Sequence, residues 1–254
     1  MLVLVLAAPL AHAGPVISII IDDLGEHLAL GQRAIELPGV MTYAVLPYAT
    51  HTRLLAQQAH ARHKQVMLHQ PMAAQSERKL GRGALQADTS AEQLEQILAA
   101  NLAAVPHAEG INNHMGSLLT AQETMMATFM HAVARRGNLF FIDSRTTSAS
   151  VALQQARENG IASTTRDVFL DNSKSIEAIH QQIDTLIARA QRKGHALAIG
   201  HPYRETLEAL EARLPLLQAQ GIQMVRASDY ILHKYKEKLT WQTSLSPSPR
   251  VVKN

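Results

Sequence analysis

VISIIIDDLG, residues Val16 to Gly25, decides the fold. All but Ser18 of the six residues from Val16 to Ile21 are apolar and β-branched, the pattern of a strand buried on both faces. The run ends on two adjacent carboxylates, Asp22 and Asp23, followed by Gly25. Alternation along a strand predicts that the two aspartates point to different sides of its mouth. One could then hold a metal while the other accepts a proton. The competing reading makes one Asp the cap of a helix starting near Glu26. One capping Asp is ordinary; a pair at the end of a buried strand favours chemistry.

Outward from this strand the chain repeats one grammar: a helix, a glycine stop, a short apolar strand. Thr89-x-x-Glu92 and Thr120-x-x-Glu123 read as capping boxes. The first opens a helix to about Ala104, the second a helix that stops at Gly137 before NLFFID. VALQQARENG stops at Gly160 before IASTTRDVFLD, and SIEAIHQQIDTLIARAQRKG stops at Gly194 before HALAIGHP. ETLEALEARLPLLQAQG, which Pro215 is expected to kink, stops at Gly221 before IQMVRASDYI. Earlier, MTYAVLP and KQVMLHQP are strands on either side of the helix HTRLLAQQAHARH. Strands alternating with helices predict βα units and a parallel sheet. The continuous pattern predicts an α/β fold, a single distorted or incomplete (β/α) barrel of seven or eight mostly parallel strands. No G-x-G-x-x-G or G-x-x-x-x-G-K-[ST] opens a helix, so nucleotide binding has little support.

At 254 residues, 46% hydrophobic and 18% charged, the chain is long enough and apolar enough for one large core. A net charge of +3 and 4% aromatics argue against a nucleic-acid surface. Without cysteine, metal ligation falls to His and Asp/Glu. The opening MLVLVLAAPLAHAGP is a short apolar run ending in Ala11-His12-Ala13, which reads as a secretory signal peptide over residues 1–13 and predicts a periplasmic or secreted protein. The run is too short for a stable membrane span. A barrel domain over 14–235 and a disordered Ser/Pro-rich tail over 236–254 complete the expected organisation.

In a parallel barrel, chemistry collects where the strands end. The ends here carry Asp22-Asp23, His69-Gln70-Pro71-Met72, Asn112-Asn113-His114-Met115-Gly116-Ser117, Asp143-Ser144-Arg145, Asp171-Asn172 and Gly200-His201-Pro202. Taken singly, each has an ordinary explanation: His69 as a turn residue, His114 as a loop side chain, His201 as an exposed polar residue after a buried strand. Asp143 and Arg145 read equally as an ion pair, and Asp171 with Asn172 as a helix cap. Their shared location raises them. One carboxylate and two imidazoles suit a divalent metal, Zn²⁺ first, with a coordination position left for water. Asp23, His69 and His114 fit that role, Asp22 that of general base, and His201 that of the acid protonating a leaving group.

Together, IDDLG, HQPM, NNHMGS, FIDSRT and AIGHP resemble the divergent polysaccharide deacetylase family (YibQ-like), related to NodB-type carbohydrate esterases. The resemblance runs from about Val16 to Tyr230. It implies a distorted (β/α) barrel, a strand-end Asp pair supplying base and metal ligand, and an acetylated polysaccharide or peptidoglycan-type glycan as substrate. Two departures stand out. The H-x-x-x-H pair that usually completes the metal site is missing, since Ala73 stands four residues after His69, and His114 is the candidate replacement. NNHMGS occupies the place of the fourth-strand Arg-Pro-Pro-type motif. Asp143 and Arg145, with Asn113 and Ser117, are expected to contact substrate or orient the ligands. The implied activity is metal-dependent removal of acyl groups from a cell-envelope glycan. The alternative is a non-catalytic member that keeps barrel and metal to bind glycan or a protein. Phosphate-ester hydrolysis is a weaker third, lacking a phosphate cradle.

Overall fold

A computed structural model describes residues 14–76 and 79–245, with side chains as far as 236. The chain begins β1 (Val16–Leu24), α1 (Leu28–Glu36), β2 (Thr42–Val45), α2 (Thr52–Ala61) and β3 (Gln65–Met72). It continues α3 (Ala91–Ala104), β4 (Ala108–Met115), α4 (Glu123–Ala134), β5 (Phe140–Asp143), α5 (Ala152–Glu158), β6 (Ser163–Thr165) and β7 (Val168–Phe169). It closes with α6 (Ile176–Lys193), β8 (His195–Gly200), α7 (Arg204–Leu217), β9 (Gln223–Met224) and α8 (Ala227–Leu245).

All the pairings are parallel, in the order β6-β5-β4-β3-β2-β1-β8-β7, with β9 added beside the start of β1. The two ends of this path, β6 and β7, are consecutive in sequence and separated only by Arg166 and Asp167. Three residue steps reach at most about 11 Å, whereas a flat sheet of eight strands would place its edges roughly 34 Å apart. The sheet therefore curls into a barrel, open along the seam between β6 and β7. This is the distorted (β/α) barrel expected, with one very short strand at the seam and another, β9, off the main path.

Side-chain alternation divides each strand between two cores. Ile17, Ile19 and Ile21 of β1 face outward into the main core, packed with Leu55, Leu68 and Leu207 beneath the helices. Val16 and Ile20 face inward with Ala44, Met67, Phe140, Ile142, Leu197 and Ile199, and α8 adds Ala227, Tyr230 and Ile231 to this interior cluster. Being buried on both faces, β1 is an apolar run interrupted only by Ser18 as far as Ile21. Gly194 ends α6 in the left-handed conformation (φ 79°), which accounts for a glycine at that stop.

Several local expectations are corrected. The N-cap of α1 is His27, so neither aspartate caps it. The capping box on α3 is Ser90 with Gln93, one residue beyond the Thr89 signature; Thr89 instead accepts from the Gln86 N–H. Thr120 lies in a short 3-10 turn and donates to the Gly116 carbonyl, and α4 starts at Glu123 after an uncapped Gln122. IASTTRDVFLD forms two strands rather than one. The boundary expected at residue 235 falls inside α8, which continues to Leu245. Residues 1–13, expected as a signal peptide, and 246–254 of the expected tail lie outside the described residues. No helix among the described residues is long and apolar enough to cross a membrane.

Candidate active site and metal centre

The interior alternation that buries Ile20, Met67, Leu197 and Ile199 carries on, at the C-terminal ends of the strands, into Asp22, His69 and His201. β3 and β4 pair in register His69↔Asn112 and Pro71↔His114, which sets Asn112 and His114 on the same face as His69. Asp22, His69 and Asn112 are all buried.

Asp23 breaks the alternation. Its φ is +56°, and the register of β1 against β2 shifts between Ile21 and Leu24. The left-handed residue and the irregularity swing the Asp23 carboxylate back over the barrel mouth beside Asp22, instead of to the opposite side. Tyr48, Met115 and Arg145, after β2, at the end of β4 and after β5, also have positive φ. Four residues around the mouth thus take a left-handed backbone, while His63, His107 and Asn138 do so where the chain enters β3, β4 and β5 at the opposite end.

The ligand atoms converge. Asp23 Oδ1 lies 3.1 Å from His69 Nε2 and 2.9 Å from His114 Nδ1, and those two nitrogens are 3.1 Å apart. Despite these short approaches, Asp23 Oδ1 is buried without a hydrogen-bond partner. His69 Nδ1 faces Asn112 Oδ1 at 2.7 Å, and Asn112 Nδ2 donates to Asp22 Oδ1 at 2.8 Å. Because the amide nitrogen is committed to Asp22, its oxygen must accept from His69 Nδ1–H, which assigns the lone pair of neutral His69 to Nε2. A divalent ion bonded to N and O at about 2.0–2.1 Å holds tetrahedral ligand atoms about 3.3 Å apart. The observed triangle fits such an ion. Burial alone would lower the His69 pKa, but Asp22 and Asp23 outweigh it and raise it, so the pocket favours a positive charge at this point.

The two aspartates are tuned apart. Burial pushes Asp22 above the usual carboxylate range, although His69, His201 and Asn112 oppose the shift. Burial acts on Asp23 too, but the His114 and His69 rings override it and hold Asp23 well below that range. A pair of like groups driven in opposite directions is how one site obtains a base and a permanent anion.

Across the mouth, His201 has Nε2 3.8 Å from Asp23 Oδ2, while its Nδ1 lies 2.9 Å from Asp171 Oδ1. Asp171 Oδ2 accepts from the His201 backbone N–H and from Thr206 Oγ1. Burial works against charge on this ring, but Asp171, with Asp22 and Asp23 behind it, raises the His201 pKa to about 9. His201 is therefore an imidazolium at neutral pH, able to give up a proton. Phe169 meets it edge-on and Tyr203 stacks against it.

The other expected residues brace loops. Asn113 takes the Ser144 N–H on Oδ1 and donates to the Met115 carbonyl. Ser117 Oγ accepts from the Gln75 N–H. Asp143 accepts from the Arg145 N–H and from Ser150 Oγ, a local turn, and burial raises its pKa. Arg145 is exposed, and its carbonyl, with that of Ser144, accepts from Arg166. Sequence reasoning places Asn112 and Asp171 at the strand ends without giving them these roles, reading Asp171 as a helix cap, and misses Arg166. Alternation from His114 is signal enough for Asn112; nothing local marks Arg166, which lies over Phe169 and feels the charges of Asp22 and Asp143.

Comparison with known proteins identifies the family and the fold. The family model for divergent polysaccharide deacetylases matches residues 19–231. The uncharacterized protein YibQ of Escherichia coli K12 is 36% identical over 233 residues, 90% of this chain and 72% of YibQ. Among solved structures, the uncharacterized protein ATU2773 from Agrobacterium tumefaciens C58 superposes with a TM-score of 0.82 at 22% identity, covering 86% of this chain and 90% of its own. Peptidoglycan deacetylase PdaC from Bacillus subtilis shares the fold at a TM-score of 0.55 and 16% identity, covering 92% and 98%. On its sequence the chain belongs to the divergent polysaccharide deacetylase family.

Proposed function

We propose that the protein is an exported, metal-dependent hydrolase that removes acetyl groups from a glycan of the cell envelope. The observation that carries this reading is the convergence of Asp23 Oδ1, His69 Nε2 and His114 Nδ1 between a carboxylate and a histidine whose pKa values are both raised. A divalent ion such as Zn²⁺, held by those three atoms, supplies Lewis-acid polarisation of the acyl carbonyl. Asp22 takes a proton from the water that attacks the acyl carbon, and Asn112 holds the carboxylate in place while it does so. The carbon–nitrogen or carbon–oxygen bond of the acyl group then breaks. His201 passes its proton from Nε2 to the departing sugar nitrogen or oxygen, with Asp171 fixing the ring through Nδ1. Export rests on the apolar N-terminal run ending in Ala11-His12-Ala13.

The second reading, glycan or protein binding without turnover, is favoured by the missing H-x-x-x-H pair. Elemental analysis of the purified protein and of its Asp23→Ala, His69→Ala and His114→Ala variants separates the two, together with release of acetate from acetylated glycans. Near-stoichiometric metal lost in each variant, with acetate release by the parent, is the expected result. Metal without acetate release, alongside saturable glycan binding, would leave the binding reading. Protein that stays metal-free after incubation with Zn²⁺ and other divalent ions would sink the hydrolase.

A further inference from the structure

The seam of the barrel holds a second site beside the start of β8, lined by His195 and by none of the residues of the metal centre. β8 has β1 along one edge, but on the other it meets β7 only at Ala198 and Ile199. Below Leu197 that edge has no strand beside it among the described residues, and β6 ends the sheet on the far side of the gap. The result is a cavity of about 910 Å³ between β6 and β8, bordered by α8. A volume of this size accommodates a small organic ligand.

Its chemistry is one-sided. Arg157, Lys193 and Lys234 line it together with Ile161 and Ile231, and no carboxylate among the described residues does. The nearby acids are committed elsewhere. Asp167 bonds Arg189, the Leu197 N–H and the Tyr230 hydroxyl, and Glu158 accepts from Gln154 and Gln155. Lys234 Nζ donates to Thr164 Oγ1 at 3.0 Å and lies over the Tyr230 ring, which fixes the ammonium at the cavity wall. Burial holds the Lys234 ammonium below its ordinary pKa. Arg157, Arg189 and Lys193 add repulsion, and Asp167 offsets it only in part.

We propose that this cavity binds a small amphiphilic anion, with a carboxylate or phosphate head among Arg157, Lys193 and Lys234, and an apolar body against Ile161 and Ile231. The same head-and-tail chemistry is found in a lipid of a membrane surface and in a free metabolite. Calorimetric titration of the full chain with octyl phosphate, below its micelle concentration, tests the site; inorganic phosphate and octanol serve as head-only and tail-only controls. One saturable site is expected, tighter than for either control, weakened about tenfold or more in Arg157→Gln and Lys234→Gln and unchanged in His114→Ala. Arg157 is exposed, so its variant decides the matter even if Lys234→Gln folds poorly. Absence of saturable binding, or affinity unchanged in well-folded Arg157→Gln, overturns the proposal. Sedimentation with phosphatidylglycerol vesicles that is lost in the same variants assigns the ligand to a lipid; octyl phosphate binding without it assigns a soluble anion.

Discussion

Two residues beyond Ile20, β1 presents Asp22 to the same interior; two beyond Met67, β3 presents His69; two beyond Ile199, the end of β8 gives way to His201. The lower half of the barrel is closed with Ile, Leu, Met and Phe, and with Tyr230 and Ile231 from α8. The upper half sets Asp22 and His69 in an equally buried place, with Asp23, His114 and His201 half-buried above them. Apolar burial stabilises the fold, whereas burying a carboxylate opposes it, and the raised pKa of Asp22 records that opposition. The lower half therefore holds the strands in register, and the upper half uses that rigidity to keep an unfavourable cluster in place. Substitutions at the two ends should have opposite signs on stability.

The largest effect belongs to Asp22→Asn. Asparagine keeps an oxygen to accept from Asn112 Nδ2 but cannot take a proton. Acetate release should fall by about 10²–10⁴-fold, the usual worth of a positioned general base. Metal content should stay near that of the parent, since Asp22 is outside the Asp23, His69 and His114 triangle. In chelator-treated protein at neutral pH the melting temperature should rise, because a buried group that resists ionisation has become neutral. Turnover persisting in a metallated variant would break the assignment of Asp22 as base; a fall in melting temperature would break the contrast between the two ends.

Next is Ile20→Ala, one layer below. Ile20 is fully buried in the interior cluster, and truncation there typically costs about 2–5 kcal/mol through lost burial and a residual cavity. Denaturant titration should show that loss, while metal stoichiometry and acetate release by the folded fraction remain. Loss of metal from folded Ile20→Ala would mean that the lower half shapes the site more directly than packing alone suggests.

The contrast also explains what the sequence reveals. Buried parallel strands leave unbroken apolar runs, and a left-handed helix stop calls for glycine at Gly194; both signals are local, and the barrel follows from them. Which strands pair is decided at long range. Nothing in IASTTRDVFLD says that Ser163–Thr165 and Val168–Phe169 lie at opposite ends of the sheet. At the site, alternation predicts diverging aspartates, and a positive φ at Asp23 defeats it. The polar run NNHMGS offers four candidates, of which i, i+2 spacing from His114 selects Asn112; Asn113 and Ser117 secure neighbouring loops. Asp171 reads as a helix cap until the fold brings it under His201, thirty residues on.

A smaller effect, which tests how the upper cluster is charged, is expected from Asp171→Asn. His201 has an ordinary pKa of 6.5 and is raised to about 9 in the fold; burial opposes the shift, and the Asp171 carboxylate leads the groups that overcome it. A folded-state pKa above the unfolded value adds stability that is fully present below pH 6.5 and disappears as pH rises through about 9. In metal-free protein the destabilisation caused by Asp171→Asn should therefore be larger at pH 6 than at pH 10. What remains at pH 10 reflects the uncharged bonds from Thr206 and the His201 N–H. Followed by NMR, the imidazole titration of His201 should move from about 9 toward 6.5 in the variant. Any acetate release should lose its alkaline limb over the same interval, as the proton on Nε2 is given up earlier. An unmoved titration with an unmoved limb would mean that Asp22 and Asp23, not Asp171, hold the charge on His201, and the rim would then be one coupled cluster rather than a base and an acid with separate supports.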